Sequence, residues 1–343
     1  MRRAFGQQFD VPDGYLNTAS IGMPPVVAAE AVADAVRNWR VGSGRSADFD
    51  QPVAVARAAF ARLAGVDAGR VAIGGSVSSL VGLVAASLPD GSRVLAARGE
   101  FTSVTFPFAA QAGRGVTVTE VELAELPSRT AQADLVAVSA VQSADGTLAD
   151  LDALRASAAR TGTRVLLDVT QAAGWLPLDL GWADAVVAAG YKWLLCPRGV
   201  AWLAVRPELE REIVPHGAGW YAGADPWAST YGLPPRLAGD ARRLDTSPAW
   251  LCHVGAAAAL PWLASLDGEA VRKHCVGLAD QLVRELDGEP GGSAIAVVDR
   301  PDAVRKLTDA GVVISSRNRA ARLAFHLYNT EADVRRALDA LAR

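Results

Sequence analysis

Lysine is nearly missing from this chain. Of its 34 basic residues only Lys192, Lys273 and Lys306 are lysine, the rest being arginine. Where arginine carries the general positive charge, a lysine that remains raises the question whether an amine is needed there. Cysteine is equally scarce. Cys196, Cys252 and Cys275 are widely spaced, odd in number, and form neither a CxxC pair nor a Cys/His cluster. That argues against a disulfide framework or a bound metal and for a reduced, cytoplasmic setting. A basic excess is absent too, the formal net charge being −3, so a nucleic-acid partner is not expected. Long apolar runs are also lacking. Val254–Leu266 is broken by Pro261 and too short to span a bilayer, and Phe5–Asp13 supplies no signal-peptide core. These absences leave a soluble protein with small-molecule chemistry and no membrane partner as the expectation.

What is present is an alternation of helices and short apolar strands. Strands are predicted at Arg70–Ile73, Arg93–Ala97, Val116–Val121, Leu135–Ser139, Arg164–Asp168, Ala185–Ala188 and Gly199–Val205. Helical runs such as Pro24–Trp39, Val53–Leu63, Ser79–Leu88 and Leu151–Thr161 lie among them, as crossovers of a mainly parallel sheet require. Buried parallel strands read as near-continuous apolar runs, and these do. Residues 214–250 are different, rich in proline, glycine and aromatics without clean periodicity. So long an irregular stretch points to function or an interface. Beyond it, helices at Val254–Leu266 and Glu269–Leu286, a strand near Ala294–Val298 and a helix from Glu331 suggest a smaller α+β lobe.

Three features fall where such a sheet presents ligands, beyond the carboxyl ends of its strands. Gly74-Gly75-Ser76-Val77-Ser78-Ser79 joins a strand to a helix, where open N–H groups attract a phosphate. Alone, it reads equally as a helix start capped by Ser78 or Ser79. Asp168 ends the run Val165-Leu166-Leu167, with Gln171 three positions on. Lys192 follows Val186-Val187-Ala188-Ala189-Gly190-Tyr191, the most apolar setting of any basic residue here. Burial depresses a lysine pKa by about 3–5 units, and a neutral amine is a nucleophile; the other reading is a lysine snorkelling from a strand end. Phosphate loop, acid and amine together are the three anchors of pyridoxal 5′-phosphate.

Further motifs sharpen this. They are Tyr15-Leu16-Asn17-Thr18-Ala19, Glu100-Phe101-Thr102-Ser103, Asp168-Val169-Thr170-Gln171-Ala172, Gly190-Tyr191-Lys192-Trp193 with Pro197-Arg198-Gly199, and Tyr328-Asn329-Thr330. In that order they resemble the class V aminotransferase family of fold-type I pyridoxal-phosphate enzymes, the group of cysteine desulfurases, selenocysteine lyases, kynureninases and isopenicillin N epimerases. The resemblance covers nearly the whole chain. It implies an α/β fold with a mainly parallel central sheet, helices on both faces and a smaller α+β C-terminal lobe. The expected division is an N-terminal arm (1–20) packing near the active site, a large cofactor-binding domain (21–245) and a small domain (246–343).

The resemblance also implies roles. Lys192 forms the Schiff base and moves the Cα proton, Asp168 pairs with the pyridinium nitrogen, Gln171 reaches the ring hydroxyl, and Phe101 stacks on the ring. Ser76, Val77 and Ser78 hold the phosphate, with Tyr191 in place of a histidine that many members use. Arg322, six residues before Tyr328, falls where the family binds the substrate carboxylate, with Asn17 as a second substrate contact; Arg317, Arg319 and Arg322 form a basic cluster that could be solvated surface, and the register to Tyr328-Asn329-Thr330 is what favours Arg322. Ser247, in Arg243–Pro248, is expected to reach the partner subunit's phosphate in a homodimer. One departure matters: Gly311–Arg322 carries Ser315 and Ser316 but no cysteine, which argues against a persulfide-forming desulfurase. The activity expected is a lyase at Cβ, of C–S bonds, on an amino-acid substrate, with aminotransferase or epimerase as alternatives and a non-catalytic cofactor-binding relative as the other class.

Overall fold

A computed structural model of the chain describes residues 1–342. A short hairpin, β1 (Arg2–Ala4) and β2 (Gln7–Phe9), leads through an extended arm to α1 (Val26–Arg40) and α2 (Asp50–Ala64). There follow β3 (Val71–Gly74), α3 (Val77–Ser87), β4 (Arg93–Ala97), α4 (Thr102–Ala109), β5 (Thr117–Val121), α5 (Leu126–Arg129) and β6 (Leu135–Ser139). Next come α6 (Leu151–Thr161), β7 (Arg164–Asp168), β8 (Ala185–Ala189), β9 (Ala201–Val205) and α7 (Pro207–Glu212). The chain closes with α8 (Trp250–Leu263), α9 (Gly268–Glu285), β10 (Ile295–Val298), α10 (Ala303–Asp309), β11 (Ser315–Arg317), β12 (Ala320–Ala324) and α11 (Glu331–Ala342).

Seven strands form the central sheet in the order β3-β9-β8-β7-β6-β4-β5, mixed because β9 runs antiparallel to both neighbours. The other six point the same way, so their carboxyl ends share one edge. Each buried strand feeds two cores by alternation. Val136, Val138, Val165, Leu167, Val186 and Trp202 enter one; Leu135, Ala137, Leu166, Val187 and Leu203 enter the other. Sheets covered on both faces need apolar residues at every position, which is why these runs were conspicuous.

Two expectations change. Pro261 does not break its helix: α8 runs on to Leu263, the proline forfeiting a single bond to the carbonyl four residues back. The packing also changes over at a different point from the boundary expected at 245/246. α8 packs on α1 and α2, and Ala256, Leu260 and Leu263 belong to the large core. The smaller lobe, an antiparallel sheet β10-β12-β11 with α9, α10 and α11, closes on Leu278, Leu282, Leu307, Leu323 and Val334.

The N-terminal arm is stitched to that lobe. Leu16 N–H donates to Val313 O and Leu16 O accepts from Ala324 N–H, each at 2.9 Å. Asn329 Nδ2 donates to Tyr15 O (2.9 Å), and Asp333 accepts from Gly14 N–H and Arg2. Tyr328-Asn329-Thr330 therefore acts locally as a clasp between chain ends. No helix among the described residues is long and apolar enough to cross a membrane.

Candidate active site

The loops leaving β3, β4, β6, β7 and β8 converge at the shared edge and enclose two adjoining cavities. The inner one, about 130 Å³, is walled by Ser76, Val77, Ser78, Phe101, Asp168, Gln171, Tyr191 and Lys192, all singled out in the sequence, and also by Gly75, Ser143 and Arg198. The outer one, about 680 Å³, shares Phe101, Ser143, Tyr191, Lys192 and Arg198 and opens past Ile21, α1 and Arg317. Arg322 lies behind Ser143, while Asn17 and Ser247 line neither cavity. Asn17 Oδ1 is nonetheless buried without a hydrogen-bond partner among the described residues, and Ser247 is exposed.

Lys192 is held in a tight turn after β8: Leu195 N–H donates back to Lys192 O, and Leu195 adopts a left-handed φ of +58°. The arm crosses directly above. Gly22 N–H donates to Tyr191 O at 2.9 Å, and a Cβ on Gly22 would sit 1.8 Å from Lys192 O, so only glycine allows this approach. The Lys192 amine is buried, with Nζ 5.3 Å from the Phe101 ring centroid and 5.8 Å from that of Tyr191. Burial pushes its pKa down to about 8; Asp168 opposes the shift, and Arg322, Arg317 and Arg198 reinforce it. Asp168 is displaced the other way. Burial raises its carboxyl to about 6, resisted by hydrogen bonds from Thr170, whose N–H lies 2.8 Å away.

Around this pair the polar groups are tightly placed. Gln171 Oε1 accepts from Trp193 Nε1 (2.7 Å), which fixes the amide; Nε2 donates to Ala19 O (3.0 Å) and Ser143 Oγ (3.1 Å). Arg322 is 1 % exposed, whereas Arg317 and Arg319 are exposed, so the basic cluster divides. Its guanidinium donates to Ser315 Oγ (3.0 Å), Ser20 Oγ (3.0 Å), Ser143 Oγ (3.3 Å) and Ser143 O. No carboxylate reaches Arg322, Arg317 or Arg198 within 4.0 Å among the described residues. The α3 cap is Ser76, not Ser78 or Ser79: its Oγ accepts from Ser79 N–H (3.2 Å), which leaves the first N–H groups of α3 facing the inner cavity.

Sequence reasoning passed over Ser143, Ser20 and the roles of Arg198 and Glu100. Glu100 is a buried carboxylate accepting from Ser139 N–H (2.7 Å), Ser139 Oγ (2.6 Å), Gln142 Nε2 (3.1 Å) and Phe101 N–H (2.8 Å), which ties the Phe101 loop to the end of β6. The strand-end rule that found Asp168 applies equally to β6 and would have flagged the loop bearing Ser143. Asp245 proves structural. It pairs bidentately with Arg57 (2.6 and 3.1 Å) and accepts from Ile73 N–H (2.8 Å), anchoring the segment before Ser247 to α2 and β3. The assembled site offers an anion cradle, an amine of lowered pKa, a buried carboxylate and guanidinium groups without a carboxylate partner among the described residues.

Known proteins share this framework. The family described as Aminotransferase class-V matches residues 35–337. An uncharacterized aminotransferase of Bacillus subtilis (strain 168) is 30 % identical over 310 residues, covering 84 % of this chain and 82 % of its own. Isopenicillin N epimerase of Streptomyces clavuligerus is also 30 % identical, covering 83 % of each chain. Among solved structures, the cystine C–S lyase C-DES in complex with its product cysteine persulfide superposes with a TM-score of 0.86 at 24 % identity, covering 97 % and 98 % of the two chains. The apo cysteine desulfurase of Thermococcus onnurineus NA1 gives 0.84 at 19 %, covering 96 % and 94 %. At such identities these two structures speak for the fold alone.

Proposed function

The chain belongs to the class V aminotransferase family, and from that premise we propose that it is an enzyme acting on an α-amino acid, eliminating a group, such as a sulfur leaving group, from Cβ. Its cofactor is pyridoxal 5′-phosphate. The residues present fit that group. The open α3 N-terminus with Ser76, Val77 and Ser78 suits a phosphate, helped by Arg198 and Tyr191 at the same cavity. The buried Asp168, hydrogen-bonded by Thr170, suits a ring N–H, and Phe101 and Gln171 flank the space between. When bound, the cofactor supplies an electron sink for the electron pair left on Cα.

The observation that carries the reading is Lys192, an amine whose burial lowers its pKa to about 8, beside a carboxylate kept from solvent. Near neutral pH an amine of pKa about 8 can both accept and return a proton. In this reading Lys192 would hold the cofactor through its aldehyde carbon and would take and return the Cα proton. Arg322 orients the substrate carboxylate from its serine-lined seat, with Asn17 nearby on the arm. Phe101, which lines both cavities, carries no titratable group, which counts against epimerisation by two opposed bases. Elimination and amino transfer each need one base; resemblance to the family's lyases supports elimination, and the Bacillus subtilis relative's name supports amino transfer. A persulfide mechanism is disfavoured because residues 311–322 hold no thiol and burial pushes Cys196 far above the ordinary thiol range. We further propose a cytoplasmic homodimer in which Ser247 completes the partner subunit's phosphate site.

The test is spectroscopic and kinetic. Cofactor-loaded protein should show a visible band that borohydride bleaches and that Lys192→Ala lacks. Lys192→Arg should fold and not turn over; near-normal activity in that variant, or a protein that takes up no cofactor, refutes the reading. Release of a keto acid and ammonia without an added acceptor supports elimination, and strict dependence on an acceptor overturns it in favour of amino transfer.

A further inference from the structure

The cationic groups around the cavities outnumber the anions so far assigned to them. Arg322 suits the substrate carboxylate and Arg198, shared by both cavities, faces the phosphate cradle. Arg317 lines only the outer cavity, is exposed, and makes one hydrogen bond, Nη1 to its neighbour Ser316 O at 2.7 Å. It is not there by accident of a loose loop. β11 and β12 form a hairpin whose two turn residues, Asn318 and Arg319, both have positive φ (+48° and +71°), the geometry of a tight hairpin turn. Ser315 pairs with Arg322 across this hairpin and Arg317 pairs with Ala320. Cross-strand partners share a face, as do residues two apart on a strand, so Arg317 and Arg322 project from the same face about 7 Å apart along it. Much of the lining that Arg317 and Lys192 share is apolar: Ile21, Pro24, Ala28, Ala29, Val32 and Pro197. Arg317 and Lys192 line the same outer cavity, Arg322 lies behind Ser143 at its wall, and Arg317 lowers the pKa of both by charge repulsion.

We propose that the substrate is an α-amino acid whose side chain, after a short apolar spacer, ends in a second carboxylate held by Arg317. The inference rests on the amino-acid reading above and deepens it. Arg322 and Arg317 then read the two ends of one dianion, and the apolar wall of α1 contacts the spacer. For an elimination, the departing group carries the second carboxylate away with it.

The experiment uses cofactor-loaded protein and matched pairs differing only in that charge: L-glutamate against L-glutamine, and S-(2-carboxyethyl)-L-cysteine against its side-chain amide. Dissociation constants are measured by calorimetry, and turnover separately. The acids should bind about tenfold or more tightly than the amides, as a charge-assisted bond predicts. Arg317→Gln should weaken the acids to the level of the amides while leaving the amides within about twofold, a wild-type preference that added salt should also erode. Arg319→Gln, on the turn beyond, should keep the preference. Equal wild-type affinity for acid and amide, a preference that survives Arg317→Gln, or equal weakening of both members overturns the proposal. Should the amides bind and react while the acids do not, this inference fails and the amino-acid reading stands; should no amino acid bind or react, both fall.

Discussion

Replacing Asp168 by asparagine should make the cofactor-free protein more stable while disabling the loaded enzyme. Burial raises the folded-state pKa of Asp168 from 3.8 to about 6. A group raised in this way contributes stability that is present below its unfolded pKa and lost as pH rises through the folded one. Above pH 6 the carboxylate is therefore ionised at a cost of about 3 kcal/mol, two pKa units at about 1.4 kcal/mol each. Asparagine keeps the shape and cannot ionise. The gain is then about 3 kcal/mol at pH 8, about half that at pH 5, and nil near pH 3. For 343 residues the unfolding entropy is about 0.7 kcal/mol per degree, so the melting temperature should rise about 4 °C at pH 8 and about 2 °C at pH 5. Differential scanning calorimetry of the cofactor-free proteins at both pH values checks this. A lower melting temperature for Asp168→Asn at pH 8, or a gain independent of pH, would refute the argument that the carboxylate is held ionised at a cost for the sake of a ligand.

Other perturbations follow from the same geometry. Gly22→Ala drives a Cβ into Lys192 O and should cost about 1–3 kcal/mol with slower cofactor uptake; wild-type melting and uptake would show that the arm does not press on the lysine turn. Asp245→Asn breaks a buried pair with Arg57 and should cost about 3–5 kcal/mol in a chemical denaturation curve, with less than 1 kcal/mol counting against that pairing. Arg322→Gln should raise KM for the amino acid about tenfold or more with a smaller effect on kcat, and an unchanged KM would remove it from the substrate carboxylate.

Strands β4, β6 and β7 were readable to the residue because each is an apolar run closed at both ends by polar or turn residues. Direction was not readable. The composition of β9 resembles that of β8, and only pairing shows that it runs backwards. The polar strand β11, Ser-Ser-Arg, had no alternation to reveal it, and α4 hid behind its internal Pro107. At the site, residues that end a strand stood out, since a charge after an apolar run marks the sheet's edge. Arg198 and Ser143 did not, because what matters is the convergence of loops distant in sequence. Register to Tyr328 singled out Arg322, but its depth was not readable: both it and Arg317 are arginines of one hairpin, and burial rather than residue type separates them.

The clasp between chain ends has a consequence in time. Residues 14–22, which roof Lys192, are held by partners at 313–333, about three hundred positions later. At about 5–20 residues per second, synthesis leaves the roof without its anchors for roughly 15–60 s. Lys192 itself is made 121 residues before residue 313, so for roughly 6–24 s of that interval it exists without the partners that hold its roof. Closure of the roof over Lys192 is thus among the last contacts the chain can make, and a nascent chain stalled before residue 313 can carry Ser76, Asp168 and Lys192 without it.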